Sequence, residues 1–221
     1  MQEFPKDLLN YFDNNKSFTS ITHTSYAISN NDPECVYYPI KFSFDQKLLL
    51  TECQSVDDLF VYHRGQEQQN GYGHRGWQSL TLHGIDHTKT DHFTAYGFKN
   101  REEAGYHWTD VCQRTPNLYS FLSNLPYRYF ERVRIMRLAP GGYIMPHCDG
   151  TSRTFTPLNI AINNPDNCYF VFKNKGIVPF EAGTGMVVDV STEHTVINFS
   201  DQVRYHIIVH GFYNQEFYDS W

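Results

Sequence analysis

The chain has 221 residues and a net charge of −6, from 18 Lys and Arg against 24 Asp and Glu. Hydrophobic residues make up 40% and charged residues 19%, so the chain can bury a core and does not have the composition of a disordered tail. The acidic balance argues against general nucleic-acid binding, and the aromatic share of 16% favours strands over a helical bundle or a coiled coil.

The N-terminal residues and the cysteines bear on the compartment. No apolar run reaches the roughly 18 residues of a membrane span, and Met1–Asp7 lacks the basic and apolar regions of a signal peptide. The five cysteines are odd in number and form no Cys-x-x-Cys pair, which argues against a disulfide framework. We therefore expect a cytoplasmic protein with no nucleic-acid partner and no membrane partner.

Residues 1–128 predict helices and isolated strands. A short helix is expected at Lys6–Phe12, and two helices are expected within Glu102–Leu125, meeting near Pro116. Strand-like runs stand at Lys47–Thr51, Leu59–His63 and Gln78–Leu82. This part of the chain is expected to support the part that follows it.

From residue 129 onward, short apolar or alternating runs follow one another with turn-forming residues between them. The runs are Val133–Leu138, Tyr143–Met145, Leu158–Ile162, Tyr169–Phe172, Met186–Val190, Thr195–Phe199 and Val203–Val209. One of the predicted turns is Pro140-Gly141-Gly142. Because no helix-length gap separates the runs, they predict an antiparallel barrel or jelly roll over 129–213, within a single mainly β (α+β) domain of residues 1–221.

His147 and Asp149 stand two residues apart at the end of a predicted strand. Both side chains then point to the same face and can offer two ligands to a divalent metal. The His-x-Asp triplet is a weak signal by itself, because a surface turn with an incidental histidine has the same pattern.

His194 and Arg204 lie on either side of Ser200-Asp201, a polar break that suggests a hairpin between two β-rich runs. A hairpin centred near Phe199 would pair His194 directly with Arg204, so that an imidazole and a guanidinium lie side by side. One face of the second run would carry Arg204, His206, Ile208 and His210, and the other Val203, Tyr205, Ile207 and Val209.

Two histidines and one carboxylate on one face of a metal leave three positions open, an arrangement typical of non-haem Fe(II) oxygenases. A 2-oxo acid fills two of those positions and dioxygen takes the third. A co-substrate with a distal carboxylate also needs a cation beyond the metal, and Arg204 supplies one. This chemistry accounts for each residue type in the order His-x-Asp, His, Arg.

The stretch Arg134–Asp149 (RIMRLAPGGYIMPHCD) resembles the metal-binding core of the aspartyl/asparaginyl β-hydroxylase family, and the resemblance continues through Leu158–Ile162, Val188–His194 and Val203–Gly211. It implies a double-stranded β-helix, which is a cupin-like jelly-roll barrel, with N-terminal helices and supporting strands. It also implies Fe(II), 2-oxoglutarate and O2 as cofactors, and hydroxylation as the reaction.

Carried over position by position, the resemblance implies that the metal ligands are His147, Asp149 and His194. Arg204 would bind the C5 carboxylate of 2-oxoglutarate. Asn159 stands where the family often has a second histidine that contacts 2-oxoglutarate. His206, on the face of Arg204, would lie near the co-substrate or be a buried barrel residue.

Four further residues are candidates for the substrate pocket: Trp77, His83, His107 and Arg153. Arg153 follows the metal motif and would bind a substrate carboxylate, although a solvated loop arginine fits equally well. For the others, the simpler interpretation is that the aromatic side chain packs in the core and that the histidines are satisfied or exposed.

Two other classes of function remain open, a non-catalytic barrel that binds a metal or a carboxylate and a zinc-dependent hydrolase. The first has no need of an oxygen-accessible iron. The second lacks a nearby general base, because Glu193 is only a remote candidate, and it leaves Arg204 unexplained. The leading expectation is a 2-oxoglutarate-dependent hydroxylase of an amino-acid side chain, free or in a peptide or protein. The oligomeric state stays open.

Overall fold

The computed structural model of the chain describes residues 3–17, 35–40, 43–64, 73–149 and 157–214. The helices are α1 (Lys6–Asn15), α2 (Gln46–Ser55), α3 (Arg101–Ala104), α4 (Val111–Arg114) and α5 (Pro116–Ser123). The strands are β1 (Tyr37–Ile40), β2 (Val61–Tyr62), β3 (His74–Gly84), β4 (His107–Trp108), β5 (Tyr127–His147), β6 (Leu158–Ala161), β7 (Cys168–Phe172), β8 (Gly176–Ile177), β9 (Gly185–Val188), β10 (His194–Asn198) and β11 (Arg204–Tyr213). Among the described residues, no helix combines the length and the apolar character needed to cross a bilayer.

The strands build a jelly roll around the long strand β5. They pair antiparallel in the order β1-β9-β6-β11-β5-β10-β7-β8. We call β1, β9, β6 and β11 the first wall and β10, β7 and β8 the second wall, and β5 joins the two. The first part of β5 pairs with β11 and its last part pairs with β10. Strand β3 pairs with the other edge of β5 and carries the short strands β2 and β4. The expectation of a mainly β jelly roll with supporting helices and strands is confirmed.

Two apolar layers lie on opposite faces of the first wall. Ile135 and Ile207 belong to an outer layer that packs against the N-terminal helices, where Leu49 and Leu118 are fully or almost fully buried. Met136, the next residue after Ile135, belongs instead to an inner layer between the two walls. This alternation follows from strand geometry, because successive side chains point to opposite faces.

The prediction of a strand at Lys47–Thr51 is wrong, because this run lies in helix α2. The side chain of Asp45 accepts a hydrogen bond from the backbone N–H of Leu48 (3.0 Å) and so caps the first turn. Leu49 and Cys53, four residues apart, are both buried on one face of the helix. A short apolar run has no periodicity that separates a strand from a buried helix face.

Helix α5 begins at Pro116, where the sequence predicts a helix junction. The buried carboxylate of Glu52 accepts hydrogen bonds there from the backbone N–H groups of Asn117 (3.0 Å) and Leu118 (2.8 Å). The rest of Glu102–Leu125 does not form the one further helix that the sequence predicts, since it contains the short helices α3 and α4 with β4 between them. Of the other predictions in this half, Lys6–Phe12 is helical, Gln78–Leu82 is strand and Leu59–His63 is strand only at β2.

The predicted hairpin between His194 and Arg204 is wrong. His194 pairs with His147 of β5, and Arg204 pairs with Leu138 of the same strand, so that β10 and β11 follow one another along one edge of β5. The physical reason is Asn198, whose buried side-chain amide donates hydrogen bonds to the carbonyls of residues 138, 139 and 202. The loop is thereby tied to the middle of β5, and the chain crosses from one wall to the other.

The predicted turn at Pro140-Gly141-Gly142 does not end a strand, because β5 continues through it. Gly141 has a φ of +67°, which a glycine adopts without strain. A Cβ atom on Gly142 would lie 2.7 Å from the carbonyl oxygen of Ala139 and 2.9 Å from that of Arg75. These two glycines therefore allow β5 to bend between the part that pairs with β11 and the part that pairs with β10.

We expect Gly142→Ala to lower the free energy of unfolding by about 1–3 kcal/mol, because the added methyl group meets backbone on two strands. Urea unfolding of the full chain measures the change. Gly73→Ala is the matched control, since its Cβ would meet only Met145 Cγ at an ordinary 3.4 Å. Equal stability of the Gly142→Ala protein and the wild type would contradict this account of the bend.

Candidate metal centre

A cavity of about 290 Å³ opens between the two walls of the jelly roll. Among its lining residues are seven that the sequence singles out: Trp77, His147, Asp149, Asn159, His194, Arg204 and His206. The predicted alternation of β11 is confirmed, because Arg204, His206, Ile208 and His210 line this cavity while Tyr205, Ile207 and Val209 lie in the outer apolar layer.

His147, Asp149 and His194 converge at one side of the cavity, each offering one ligand atom within 4.8 Å of the other two. Asp149 Oδ1 lies 3.6 Å from His147 Nε2, and Asp149 Oδ2 lies 3.9 Å from His194 Nε2. The pairing of β5 with β10 causes this convergence, since it places His147 opposite His194 at the strand ends. All three side chains line the cavity, so a metal held by them would be open to it.

Backbone carbonyls orient both imidazoles. His147 Nδ1 lies 2.8 Å from the carbonyl oxygen of Met145, and His194 Nδ1 lies 2.8 Å from that of Thr192. Because a carbonyl oxygen only accepts, each Nδ1 carries the proton and donates it. Each Nε2 is then the nitrogen that can bind a metal, which is the usual tautomer of a metal-ligating histidine.

Burial keeps the two imidazoles neutral. It lowers the pKa of His194 to about 4, with a further contribution from the neighbouring His147. Burial also lowers the pKa of His147, although Asp149 acts in the opposite direction. The ring of Phe170 stacks on His194 at a centroid distance of 5.0 Å and an angle of 7°. Since metal binding needs neutral imidazole, the site is ready to bind a metal at neutral pH.

Sequence reasoning missed Asp189, which is buried and holds the loop before His194. Its carboxylate accepts hydrogen bonds from the Ser191 backbone N–H (3.1 Å) and hydroxyl (2.6 Å). The same loop carries the Thr192 carbonyl that orients His194, and the Val190 carbonyl that accepts from the backbone N–H of Asp149 (2.9 Å). Asp followed two residues later by Ser is a local turn pattern that points to this role.

Arg204 lies deep in the cavity, with 5% of its surface exposed. Its Nη2 donates to His206 Nδ1 (2.8 Å), and its Nε lies 3.5 Å from the Asn164 side-chain oxygen. No carboxylate of the described residues lies within 4 Å of the guanidinium, and burial lowers the pKa of Arg204 to about 10. The group therefore stays charged at neutral pH, without a carboxylate partner in the described part of the chain.

His206 links Arg204 to Asn159, whose side-chain oxygen Oδ1 lies 2.7 Å from the same Nδ1 atom. The Arg204 guanidinium only donates and the Asn159 oxygen only accepts, so the two contacts at Nδ1 favour opposite tautomers of the neutral His206 ring. Burial lowers the pKa of His206 well below its usual value. Its Nε2 is buried and has no hydrogen-bond partner among the described residues. The cavity thus contains a buried ring nitrogen that a bound ligand would satisfy.

Three arginines that sequence reasoning missed, Arg64, Arg132 and Arg134, also line the cavity. Arg132 and Arg134 alternate with Met136 on the inner face of β5, and Arg64 follows β2. The period of two along β5 is a signal that could have identified the first pair, whereas nothing in the sequence brings Arg64 to the same place.

The structure does not bring His83 and His107 to this cavity. His83 Nδ1 donates to the Glu131 carbonyl (2.8 Å), and its ring meets Trp108 edge-on. His107 is exposed. The predicted substrate candidate Arg153 lies outside the described residues.

Glu193, the remote general-base candidate for a hydrolase, forms an ion pair with Lys173 (3.2 Å). It is not among the described residues that line the cavity. A hydrolase would therefore find no glutamate base at this position.

Residues 45–212 match the model of a protein family described as aspartyl/asparaginyl β-hydroxylase. No curated protein matches the chain. Among solved structures, a prolyl hydroxylase from Trichoplax adhaerens, in complex with a hypoxia inducible factor oxygen degradation domain peptide fragment, has a TM-score of 0.50 and 14% identity over 89% of this chain and 92% of that chain. A Pseudomonas putida prolyl-4-hydroxylase has a TM-score of 0.46 and 13% identity over 86% of this chain and all of that chain. At 14% identity, the first likeness shows a shared fold.

The buried His83 predicts a pH dependence of stability. Burial lowers its pKa from 6.5 to about 4, so between these values the unfolded chain binds a proton that the folded protein does not. The contribution of His83 to the free energy of unfolding therefore decreases by about 1.4 kcal/mol for each pH unit below 6.5, until the pH approaches 4. We expect His83→Gln to show a shallower decrease in stability over this range in urea unfolding.

The matched control for this measurement is His92→Gln, because His92 is exposed. Its stability should decrease with pH as steeply as that of the wild type. An unchanged slope in His83→Gln would contradict the assignment of a buried neutral imidazole.

Proposed function

This chain belongs to the aspartyl/asparaginyl β-hydroxylase family, and from that premise we propose that His147, Asp149 and His194 hold its metal while Arg204 anchors its co-substrate. The chain is a 2-oxoglutarate-dependent oxygenase that acts as a hydroxylase, and its cofactors are Fe(II), 2-oxoglutarate and O2. The observation that carries the residue assignment is that all four side chains line one cavity. Neither the non-catalytic barrel nor the zinc hydrolase has a comparable observation in its favour.

The donor set fits an Fe(II) centre with a 2-oxo acid beside it. Two neutral imidazoles and one carboxylate supply the three ligands, and the buried Nε2 of His206 supplies a polar atom without a hydrogen-bond partner in the described residues. When bound, Fe(II) with 2-oxoglutarate and O2 supplies the oxidising power that converts an unactivated C–H bond into C–OH, with release of succinate and CO2. The remaining role of the chain is to bind and orient the co-substrate and the substrate and to exclude water from the site.

The two histidines are held for this task by their surroundings. Their Nδ1–H groups are occupied by carbonyls, so that only Nε2 can approach a metal. Stacking on Phe170 fixes the plane of the His194 ring. Asp149 is the most exposed of the three ligands, with 35% of its side chain accessible, and its backbone is tied to the Val190 carbonyl. We propose that this rigidity keeps the metal on the same side of the cavity throughout a reaction cycle.

Arg204 suits the distal carboxylate of 2-oxoglutarate for two reasons. It is a buried cation with no carboxylate of the described residues within ion-pair distance, and a guanidinium binds a carboxylate through two parallel hydrogen bonds. His206 occupies one of its donors and thereby fixes the direction of the guanidinium plane. Asn159, on the neighbouring strand β6, contacts the same imidazole and completes this wall.

We further propose that the substrate is an amino-acid side chain, free or within a peptide or protein, as the family description suggests. The Trichoplax adhaerens prolyl hydroxylase is described in complex with a peptide fragment, which makes a peptide substrate a reasonable first choice for this jelly roll. Trp77 lines the cavity, and its ring lies 4.1 Å from that of His63 at an angle of 42°, so it forms part of the wall that a substrate would meet.

The first functional prediction concerns the metal. Full-length protein with Fe(II), ascorbate and 2-oxoglutarate should form succinate, at least slowly and without substrate. We expect His194→Ala to weaken Mn(II) binding, measured by electron paramagnetic resonance, by at least about 100-fold and to abolish succinate formation, because one of three ligands is lost. His92→Ala, which removes an exposed histidine, should behave as the wild type. Normal metal binding by His194→Ala would refute the proposed centre.

The second functional prediction concerns Arg204. We expect Arg204→Met to weaken 2-oxoglutarate binding by about 10- to 100-fold, because a charge-assisted hydrogen bond is lost, while Mn(II) binding stays unchanged. The wild type should bind 2-oxoglutarate more tightly than 2-oxobutyrate, which lacks the distal carboxylate, and the variant should not distinguish them. Arg137→Met is the control, since Arg137 pairs with Asp57 outside the cavity. Retained discrimination in Arg204→Met would place the carboxylate elsewhere.

A further inference from the structure

Helix α1 packs against the face of β10 that points away from the cavity. Leu8 is fully buried in an apolar cluster with Ile197 of β10, whereas Val196, the neighbour of Ile197, lines the cavity. The buried side chain of Asn15 accepts a hydrogen bond from the backbone N–H of Asn174 (2.6 Å). The helix is therefore held on the second wall by apolar packing and by a hydrogen bond at its C-terminal end.

Tyr11 of this helix reaches the residue directly before His194. Its hydroxyl donates a hydrogen bond to the carbonyl oxygen of Glu193 (3.0 Å). The same oxygen accepts from the backbone N–H of Lys173 (2.9 Å), which follows β7. A carbonyl oxygen has two lone pairs, so donors from two different elements use both of them. Burial raises the pKa of the Tyr11 hydroxyl, which therefore stays protonated and able to donate.

The Glu193 carbonyl belongs to the peptide group that ends in the backbone nitrogen of His194. Because a peptide group is planar, donors that hold its oxygen also fix its plane and the position of the His194 backbone. The preceding carbonyl, that of Thr192, orients His194 Nδ1 (2.8 Å). A shift of residue 193 would therefore disturb His194 both at its backbone and at its ring.

The pairing of β10 with β5 is irregular at this point. His194 pairs with His147 and Val196 pairs with Ile144, so two steps along β10 correspond to three steps along β5. Pro146, within the longer stretch, has no backbone N–H to donate. Such a β-bulge redirects side chains, but it interrupts the ladder of hydrogen bonds that would otherwise hold the strand. Contacts from other elements therefore matter more for His194 than for a residue in a regular ladder.

We propose that Tyr11 is a positioning residue of the metal centre, because its hydroxyl holds the Glu193 carbonyl and thereby keeps His194 Nε2 directed at the metal. This inference rests on the proposed function, since it takes His194 to be a metal ligand. Helix α1 precedes residues 45–212, which match the family, so this contact lies outside the matched part of the chain. The helix then supports the metal centre itself as well as the apolar packing of the second wall.

Metal binding by the full-length Tyr11→Phe protein tests this proposal, because the change removes the hydroxyl and keeps the ring. We expect Mn(II), followed by electron paramagnetic resonance, to bind about 3- to 10-fold more weakly than to the wild type, a smaller loss than the roughly 10- to 100-fold typical of a direct partner of a ligand. We also expect the visible absorption bands of saturating Co(II) to shift, because these bands report the arrangement of ligands around the metal.

Tyr169→Phe is the matched control. Tyr169 is a partly buried tyrosine whose ring lies 5.2 Å from that of Phe12 in α1, but its hydroxyl donates to the side chain of Asn167 (3.1 Å). This variant should bind Mn(II) and Co(II) as the wild type does. Urea unfolding without metal measures any general loss of stability, which by itself would leave the spectrum of bound Co(II) unchanged.

An unchanged Mn(II) affinity or an unchanged Co(II) spectrum in Tyr11→Phe would overturn the proposal. An equal loss in Tyr169→Phe would also overturn it, because the effect would then belong to the packing of α1. His194→Ala separates this failure from that of the proposed function. If Tyr11→Phe binds metal as the wild type does while His194→Ala does not, only the role of Tyr11 is refuted, whereas normal metal binding by His194→Ala refutes the centre itself.

Discussion

The bend of strand β5 is the constraint on which the rest of the structure depends. A single strand from Tyr127 to His147 serves both walls of the jelly roll, because Gly141 and Gly142 let it turn where its partner changes from β11 to β10. Its last part brings His147 opposite His194, and its first part brings Arg204 into the same cavity through pairing with β11. Strand β5 thus brings together residues of the site that lie far apart in the sequence.

Burial determines the electrostatic character of the cavity on both sides of that bend. It keeps the imidazoles of His147 and His194 uncharged and leaves their Nε2 atoms as the available ligands. It does not neutralise Arg204 or Arg134, whose pKa values of about 10 and about 9 stay above neutrality. A neutral pair of ligands therefore shares the cavity with buried side chains that stay positively charged.

The sequence predicts the jelly roll because alternating runs indicate strands, and it predicts the pair His147 and Asp149 because residues two apart at the end of a strand can converge on one point. The position of His194 does not follow from a local pattern, since the hairpin predicted for it is wrong. The path from β10 to β11 depends instead on Asn198, which donates to a carbonyl 60 residues earlier, and no local pattern reveals such a contact. The run Lys47–Thr51 is too short to show a period. Arg64 joins Arg132 in the cavity only through tertiary packing.

The alternation of side chains along β5 also separates residues that pack against the helices from residues that line the cavity. Val133 and Ile135 face the helices and anchor the scaffold, while Arg132 and Arg134 face the cavity from intervening positions. The cavity-facing residues can therefore be substituted one at a time while the packing against the helices stays intact. Such a strand allows the lining of the cavity to change during evolution while the fold is kept.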